Sequence, residues 1–145
     1  MEYRKLGSTN IDVSVICLGT MTYGEQNSID QAHQQLDYAI DHGVNFIDTA
    51  EMYPVPPISQ TYAKTEEFIG KWEKLTTQRD KIILATKVVG KSESFTYIRN
   101  GHACLDKKNI LAAIDSSLQR LNVDYIDLYQ LHWPDRLTNC FGQRD

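Results

Sequence analysis

The sequence predicts an α/β fold built on parallel strands. Two observations carry that expectation. Short apolar runs with strand character alternate along the chain with longer segments of helical period, and each main helical segment has a run before and after it. The connections between runs are long enough for helical crossovers, and strands joined that way lie parallel with right-handed connections.

The elements follow in chain order. Residues 3–6 and 12–15 predict a small hairpin ahead of the alternation, and residues 13–18 a first strand. A first helix is expected over residues 29–42, with Ala32, Leu36, Ala39 and Ile40 on its apolar face. Ser28 and Gln31 form a capping box at its start, and Gly43 supplies the left-handed stop. Residues 45–49 read as a second strand. The cluster Pro54-Val55-Pro56-Pro57 must be a loop, because prolines would break a helix or a ladder. A second helix is predicted over residues 65–75, with Phe68, Ile69, Trp72 and Leu75 on one side. Glu66 and Glu67 suit its N-terminus through the helix dipole. Residues 81–86 form a third strand. Asp106 caps a third helix, in which Ile110, Ile114, Leu118 and Leu121 repeat at helical spacing. Leu105 is placed to staple onto Ile110. Residues 125–132 form a fourth strand, and residues 133–145 read as loop with no helix to cover it.

Two architectures fit this order. One is a small doubly wound sheet of the flavodoxin type. The other is the first half of a (β/α)8 barrel, a fold that normally takes about 250 residues. The alternation alone does not choose between them.

Composition narrows the function classes. A formal net charge of −4 over 145 residues gives no electrostatic footprint for nucleic acid. No apolar stretch of signal-peptide or membrane-span length occurs, so the expectation is a cytoplasmic protein without membrane partners. Cys17, Cys104 and Cys140 are widely spaced and read as reduced thiols, with no zinc-ligand spacing.

Four residues could carry chemistry together. Asp48 closes the second strand, Tyr53 follows it in the loop, Lys87 closes the third strand and His132 the fourth. All four fall at carboxyl ends of parallel strands, where α/β proteins build their sites. A phenol is a weak acid, and a nearby ammonium eases its proton transfer by favouring phenolate. A carboxylate can anchor that lysine, and a rim histidine can hydrogen-bond a substrate oxygen. The set suits protonation of a carbonyl oxygen as hydride reaches carbon. It needs no metal, but it needs a reduced cofactor, because no side chain donates hydride.

Other features read as ordinary structure. The segment 19–24 has neither dinucleotide-binding nor P-loop spacing and reads as a tight strand-to-loop turn. His33 and His42 are expected at the surface or edge of the first helix, and Asp124 and Asp127 in cap and surface roles.

In order and spacing, these residues are also recognisable. The stretches Leu18-Gly19-Thr20-Met21, Asn45-Phe46-Ile47-Asp48-Thr49-Ala50-Glu51-Met52-Tyr53, Ala85-Thr86-Lys87, Ser117-Leu118-Gln119-Arg120-Leu121 and Tyr125-Ile126-Asp127-Leu128-Tyr129-Gln130-Leu131-His132-Trp133-Pro134 resemble the aldo-keto reductase family. Residues 19–28, 50–57 and 138–142 are especially similar to one bacterial branch of it. The resemblance implies a (β/α)8 barrel that reduces aldehydes and ketones with NADPH. It implies Tyr53 as general acid, Lys87 as the residue that eases its proton transfer, Asp48 as anchor of Lys87, and His132 as the residue orienting a small carbonyl substrate. Gly19, Thr20, Met21 and Asp48 would border the nicotinamide end of the cofactor, with Gln26 on its rim.

In that family most phosphate contacts of the cofactor come from the second half of the barrel. Residues 1–145 therefore read as a partial aldo-keto reductase domain, an N-terminal half truncated after the fourth strand and expected to be inactive alone. Its first and fourth strands would be open edges, which invites self-association. A nucleotide-sensing or regulatory subunit is the alternative from another class, and retention of His132 argues against it.

Overall fold

A computed structural model describes residues 1–135. Cys140, the similarity over 138–142 and the reading of residues 136–145 as loop lie outside the described residues.

Strands β1 (Tyr3–Lys5) and β2 (Asp12–Ser14) form the expected antiparallel hairpin. Then follow β3 (Cys17–Gly19), α1 (Ile29–Asp41), β4 (Phe46–Asp48), α2 (Lys64–Gly70), α3 (Glu73–Thr77), β5 (Ile83–Val88), α4 (Lys107–Leu121) and β6 (Leu128–Leu131). The four later strands form one parallel sheet in the order β3-β4-β5-β6.

That order separates the two architectures. A doubly wound sheet reverses its direction of strand addition and so covers both faces with helices. Here each strand is added beside the previous one without reversal, and among the described residues the helices pack on one face. Ile47 of β4 and Leu84 of β5 meet Ala32 and Leu36 of α1, Ile69 of α2 and Leu121 of α4 in the main core. The opposite face is the concave interior of a partial (β/α)8 barrel. A second core cluster roofs the carboxyl end of the sheet and includes Met52, Tyr53, Val89, Phe95 and Ile98.

Local chemistry explains the helix ends. Ser28 and Gln31 form the full reciprocal capping box of α1, and Gly43 takes a φ of +86° beyond its last turn. Asp106 accepts the Asn109 amide and caps α4.

Several expectations are corrected by tertiary bonds. The run 13–18 is not one strand. The chain bends at Val15 and Ile16 between the hairpin and the parallel sheet. Ser14 Oγ donates to the Ile16 carbonyl at 2.6 Å, while the Ser14 amide donates to Asn45 Oδ1, so side chains take the bonds a ladder would use.

The helix predicted over 65–75 is split into α2 and α3. A Cβ on Gly70 would lie 2.1 Å from the Arg120 carbonyl oxygen, so α2 ends in backbone contact with α4. Trp72 is extended (φ −78°, ψ 121°) and its indole donates to Asp37 of α1 at 3.0 Å. Burying that ring against α1 outweighs continuing the helix.

The third strand begins later than expected, at Ile83. Residues Arg79–Lys81 form a 3-10 turn, and the Arg79 guanidinium bonds both the Ile82 carbonyl and Asp127. Asp127 is therefore no surface residue. Its carboxylate also accepts the Leu84 amide at 2.8 Å, tying β5 to the segment entering β6. Glu66 lies in the first turn of α2 as expected, and it is also fully buried, paired with Arg120 and accepting from Thr86. In α4 the buried face is Ala113, Ser117 and Leu121, whereas Ile110, Ile114 and Leu118 are only partly covered. His33 is half-buried and bridges to the Phe68 carbonyl, while His42 lies exposed, stacked on Tyr38.

Candidate active site

Strand alternation aims the site. Ile47, Leu84, Thr86 and Val88 are buried toward the helices. Asp48, Lys87 and Gln130 therefore point into the concave face. Parallel register sets Asp48 beside Ala85 and Lys87 beside Gln130.

The Lys87 ammonium has three protons and three acceptors. Asp48 Oδ2 lies at 2.6 Å, the Thr49 carbonyl at 2.8 Å and the Tyr53 hydroxyl at 3.4 Å. The other Asp48 oxygen accepts Gln130 Nε2 at 3.1 Å. The carboxylate is thus held from both sides, and it fixes the ammonium against the phenol. Tyr53 is brought there by a loop that extends the ladders of the sheet. The Thr49 amide donates to the Ala85 carbonyl and the Glu51 amide to the Lys87 carbonyl.

His132 follows β6, and its amide donates to the Val88 carbonyl at 2.9 Å. Its ring meets the Tyr53 ring edge-on, with centroids 5.6 Å apart. Burial, reinforced by Lys87, pushes the imidazole down to about 4, with Asp48 opposing. The ring is therefore neutral at neutral pH and can share a hydrogen bond without competing for the proton of the phenol. Its Nδ1 is buried without a partner among the described residues. Trp133 packs beside it and anchors to the Lys91 carbonyl, where Gly90 leaves no room for a side chain.

All four sequence-predicted groups thus converge. This constellation offers a proton donor (Tyr53), a fixed positive charge (Lys87), a carboxylate anchor (Asp48) and a neutral hydrogen-bonding ring (His132).

The residues of that site fall inside a longer match. The aldo/keto reductase family profile matches residues 15–142. The chain belongs to the aldo/keto reductase family. Protein tas of Escherichia coli is 50% identical over 143 residues, which cover 99% of this chain and 41% of that protein. Aldo-keto reductase YhdN of Bacillus subtilis is 36% identical, over 95% of this chain and 40% of that protein. Among solved structures, the holo form of aldo-keto reductase AKR11C1 from Bacillus halodurans superposes with a TM-score of 0.71 at 36% identity, over 90% of this chain and 40% of that one. The thermostable aldo-keto reductase Tm1743, solved with the inhibitor epalrestat, gives 0.71 at 29% identity, over 92% and 43%. The chain spans about two fifths of the length of each of these relatives.

A reductase of this family needs a nicotinamide cofactor, and the residues can be tested for fit. A Cβ on Gly19 would meet nothing within 4 Å, so the backbone beside Asp48 is open to a flat ring. Met21 is exposed next to it. The Thr20 hydroxyl is already donated to the Asp48 carbonyl at 2.9 Å, so Thr20 shapes this edge rather than offering a free donor. Gln26 lies apart from the four groups. It lines a groove with Leu18, Asn27, Gln31 and Tyr38 on the helix-bearing side. The residues fit the nicotinamide end of such a cofactor. The Lys87 ammonium beside this edge is committed to Asp48 and is not a free cation for a phosphate.

Sequence reasoning missed Gln130 and the buried pair of Glu51 and Arg99. Gln130 was accessible in principle, since it stands two residues before His132 and so shares a strand face with it. Arg99 had no signal, because it is distant in sequence from the strand ends.

No helix among the described residues is long and apolar enough to cross a membrane. Among them, too, no group of three His, Cys, Asp or Glu is placed to hold a metal ion.

Proposed function

We propose that this chain carries the acid-base half of a carbonyl reductase that converts aldehydes or ketones to alcohols with NADPH. The observation that carries the reading is the three-way commitment of the Lys87 ammonium, which fixes Tyr53 Oη beside a positive charge at the mouth of the concave face. When bound, NADPH supplies the hydride. Tyr53 delivers the proton to the carbonyl oxygen, Lys87 stabilises the phenolate left behind, Asp48 holds Lys87, and His132 orients the carbonyl through a hydrogen bond. Gly19, Thr20, Met21 and Asp48 would border the nicotinamide. In this family most phosphate contacts come from the second half of the barrel, so we infer that the chain is inactive alone; a cytoplasmic location is the setting in which it would meet its cofactor.

Three measurements test this. The purified chain mixed with NADPH and a small aldehyde shows no loss of nicotinamide absorbance, and turnover that disappears in Tyr53→Phe would overturn the inactivity. Fused in frame to the remaining part of protein tas, the chain restores NADPH oxidation, and Tyr53→Phe or His132→Ala removes it. A fusion that folds and binds NADPH without turnover favours a nucleotide-sensing role instead. Self-association through the open edges of β3 and β6 is read from sedimentation at several concentrations, and a strictly monomeric chain removes it.

A further inference from the structure

Glu51 stands two residues before Tyr53 and has no exposed surface. A buried carboxylate is tolerated only with strong partners, so its partners define its role. Oε1 accepts the Val89 amide at 2.7 Å and one Arg99 nitrogen at 3.1 Å. Oε2 accepts the other Arg99 nitrogen at 2.6 Å. The same guanidinium donates through Nε to Asn109 Oδ1 at the start of α4. One carboxylate therefore joins the Tyr53 loop, the residue two beyond Lys87, and the long loop that follows.

A second observation concerns the backbone that carries the guanidinium. Arg99 and Asn100 both adopt the left-handed region, with φ of 46° and 57°. Asn enters this region readily, but an arginine avoids it, and such strain persists where surroundings over-determine it, notably at functional sites. Here the over-determination is the grip of Glu51 and Asn109 on the guanidinium. From the same loop, Phe95, Ile98 and Ala103 pack with Met52, Tyr53 and Val89. Apolar residues of similar size could hold two loops together as firmly. A bidentate fork adds one direction and one register.

We propose that Glu51 and Arg99 are positioning residues that hold the Tyr53 loop against the Lys87 strand end and so set the contact between phenol and ammonium. The proposal rests on the carbonyl-reduction reading for its purpose, but its test does not need turnover. The 145-residue chain is produced with ring-fluorinated tyrosine, and the Tyr53 fluorine NMR signal is identified by its loss in Tyr53→Phe. Lys87→Met displaces that signal in the native background. In the Glu51→Gln background the same substitution displaces it by less than half as much, while circular dichroism shows the fold retained. Arg99→Met acts like Glu51→Gln, and Arg99→Lys restores part of the coupling. A full-sized displacement in folded Glu51→Gln would overturn the proposal. If Glu51→Gln does not fold, equal coupling in Arg99→Met and Arg99→Lys overturns it instead. A fusion to protein tas that lacks turnover removes the reductase reading and leaves this result standing, so the two failures are distinguishable.

Discussion

The contact between α2 and α4 gives the sharpest stability prediction. Glu66 is fully buried and its carboxylate has two partners, the Thr86 hydroxyl at 2.6 Å and Arg120 Nε at 2.7 Å. Arg120→Met keeps the length of the side chain and removes the guanidinium. The carboxylate is then left with one neutral donor. The approach of Gly70 to the Arg120 backbone leaves little room for water to replace the other. Breaking a buried pair from one side costs about 3–5 kcal/mol. That is a large share of the roughly 5–15 kcal/mol that holds a domain folded. For a chain of this size it lowers Tm by roughly 10–20 °C. Thermal and urea melts followed by circular dichroism measure it. The double variant Glu66→Leu with Arg120→Met removes both charges and should recover most of the loss, because the penalty belongs to the orphaned carboxylate rather than to the missing bond. A single variant within about 1 kcal/mol of the native chain would refute the reasoning. So would a double variant as unstable as the sum of its two single substitutions.

Two further outcomes are expected. Gly70→Ala forces a methyl against the Arg120 carbonyl and Leu121 backbone, so it lowers stability by about 2 kcal/mol or more, read from the urea midpoint at unchanged m. Burial lowers His132 in the folded chain to about 4 from an ordinary 6.5, so between those values the unfolded chain binds more protons. Its contribution is full above pH 6.5 and declines as pH falls toward 4, by about 1–3 kcal/mol after solvent screening. His132→Gln should flatten the stability difference between pH 7 and pH 4.5, and an identical slope in both chains would count against the buried neutral imidazole.

Much of this molecule was legible in its sequence because the signals are local. The capping box at Ser28 and Gln31 and the cap at Asp106 depend on neighbours three residues away. Placing Asp48, Lys87 and His132 at strand ends needed only strand alternation and the positions of apolar runs. What escaped was settled by partners far along the chain. The split of the second helix follows from Arg120 and Asp37, the late start of β5 from Asp127, and the grip on the Tyr53 loop from Arg99. Glu66 shows the limit most clearly. Its place in a first helical turn is a local property read from sequence, but its complete burial against α4 is decided by Arg120, 54 residues away.

The sequence by itself determined the alternation of elements, the parallel strands, the four groups at their carboxyl ends and the resemblance to a reductase family. Residue type, spacing and periodicity are properties of the chain alone, and these conclusions need nothing more. Only the tertiary structure decided between a doubly wound sheet and a partial barrel. That choice depends on which edge each new strand joins, and every crossover here returns to the same side. It also decided that one lysine could satisfy a carboxylate, a carbonyl and a phenol at once, because three-point convergence is a matter of register and distance rather than of order along the chain.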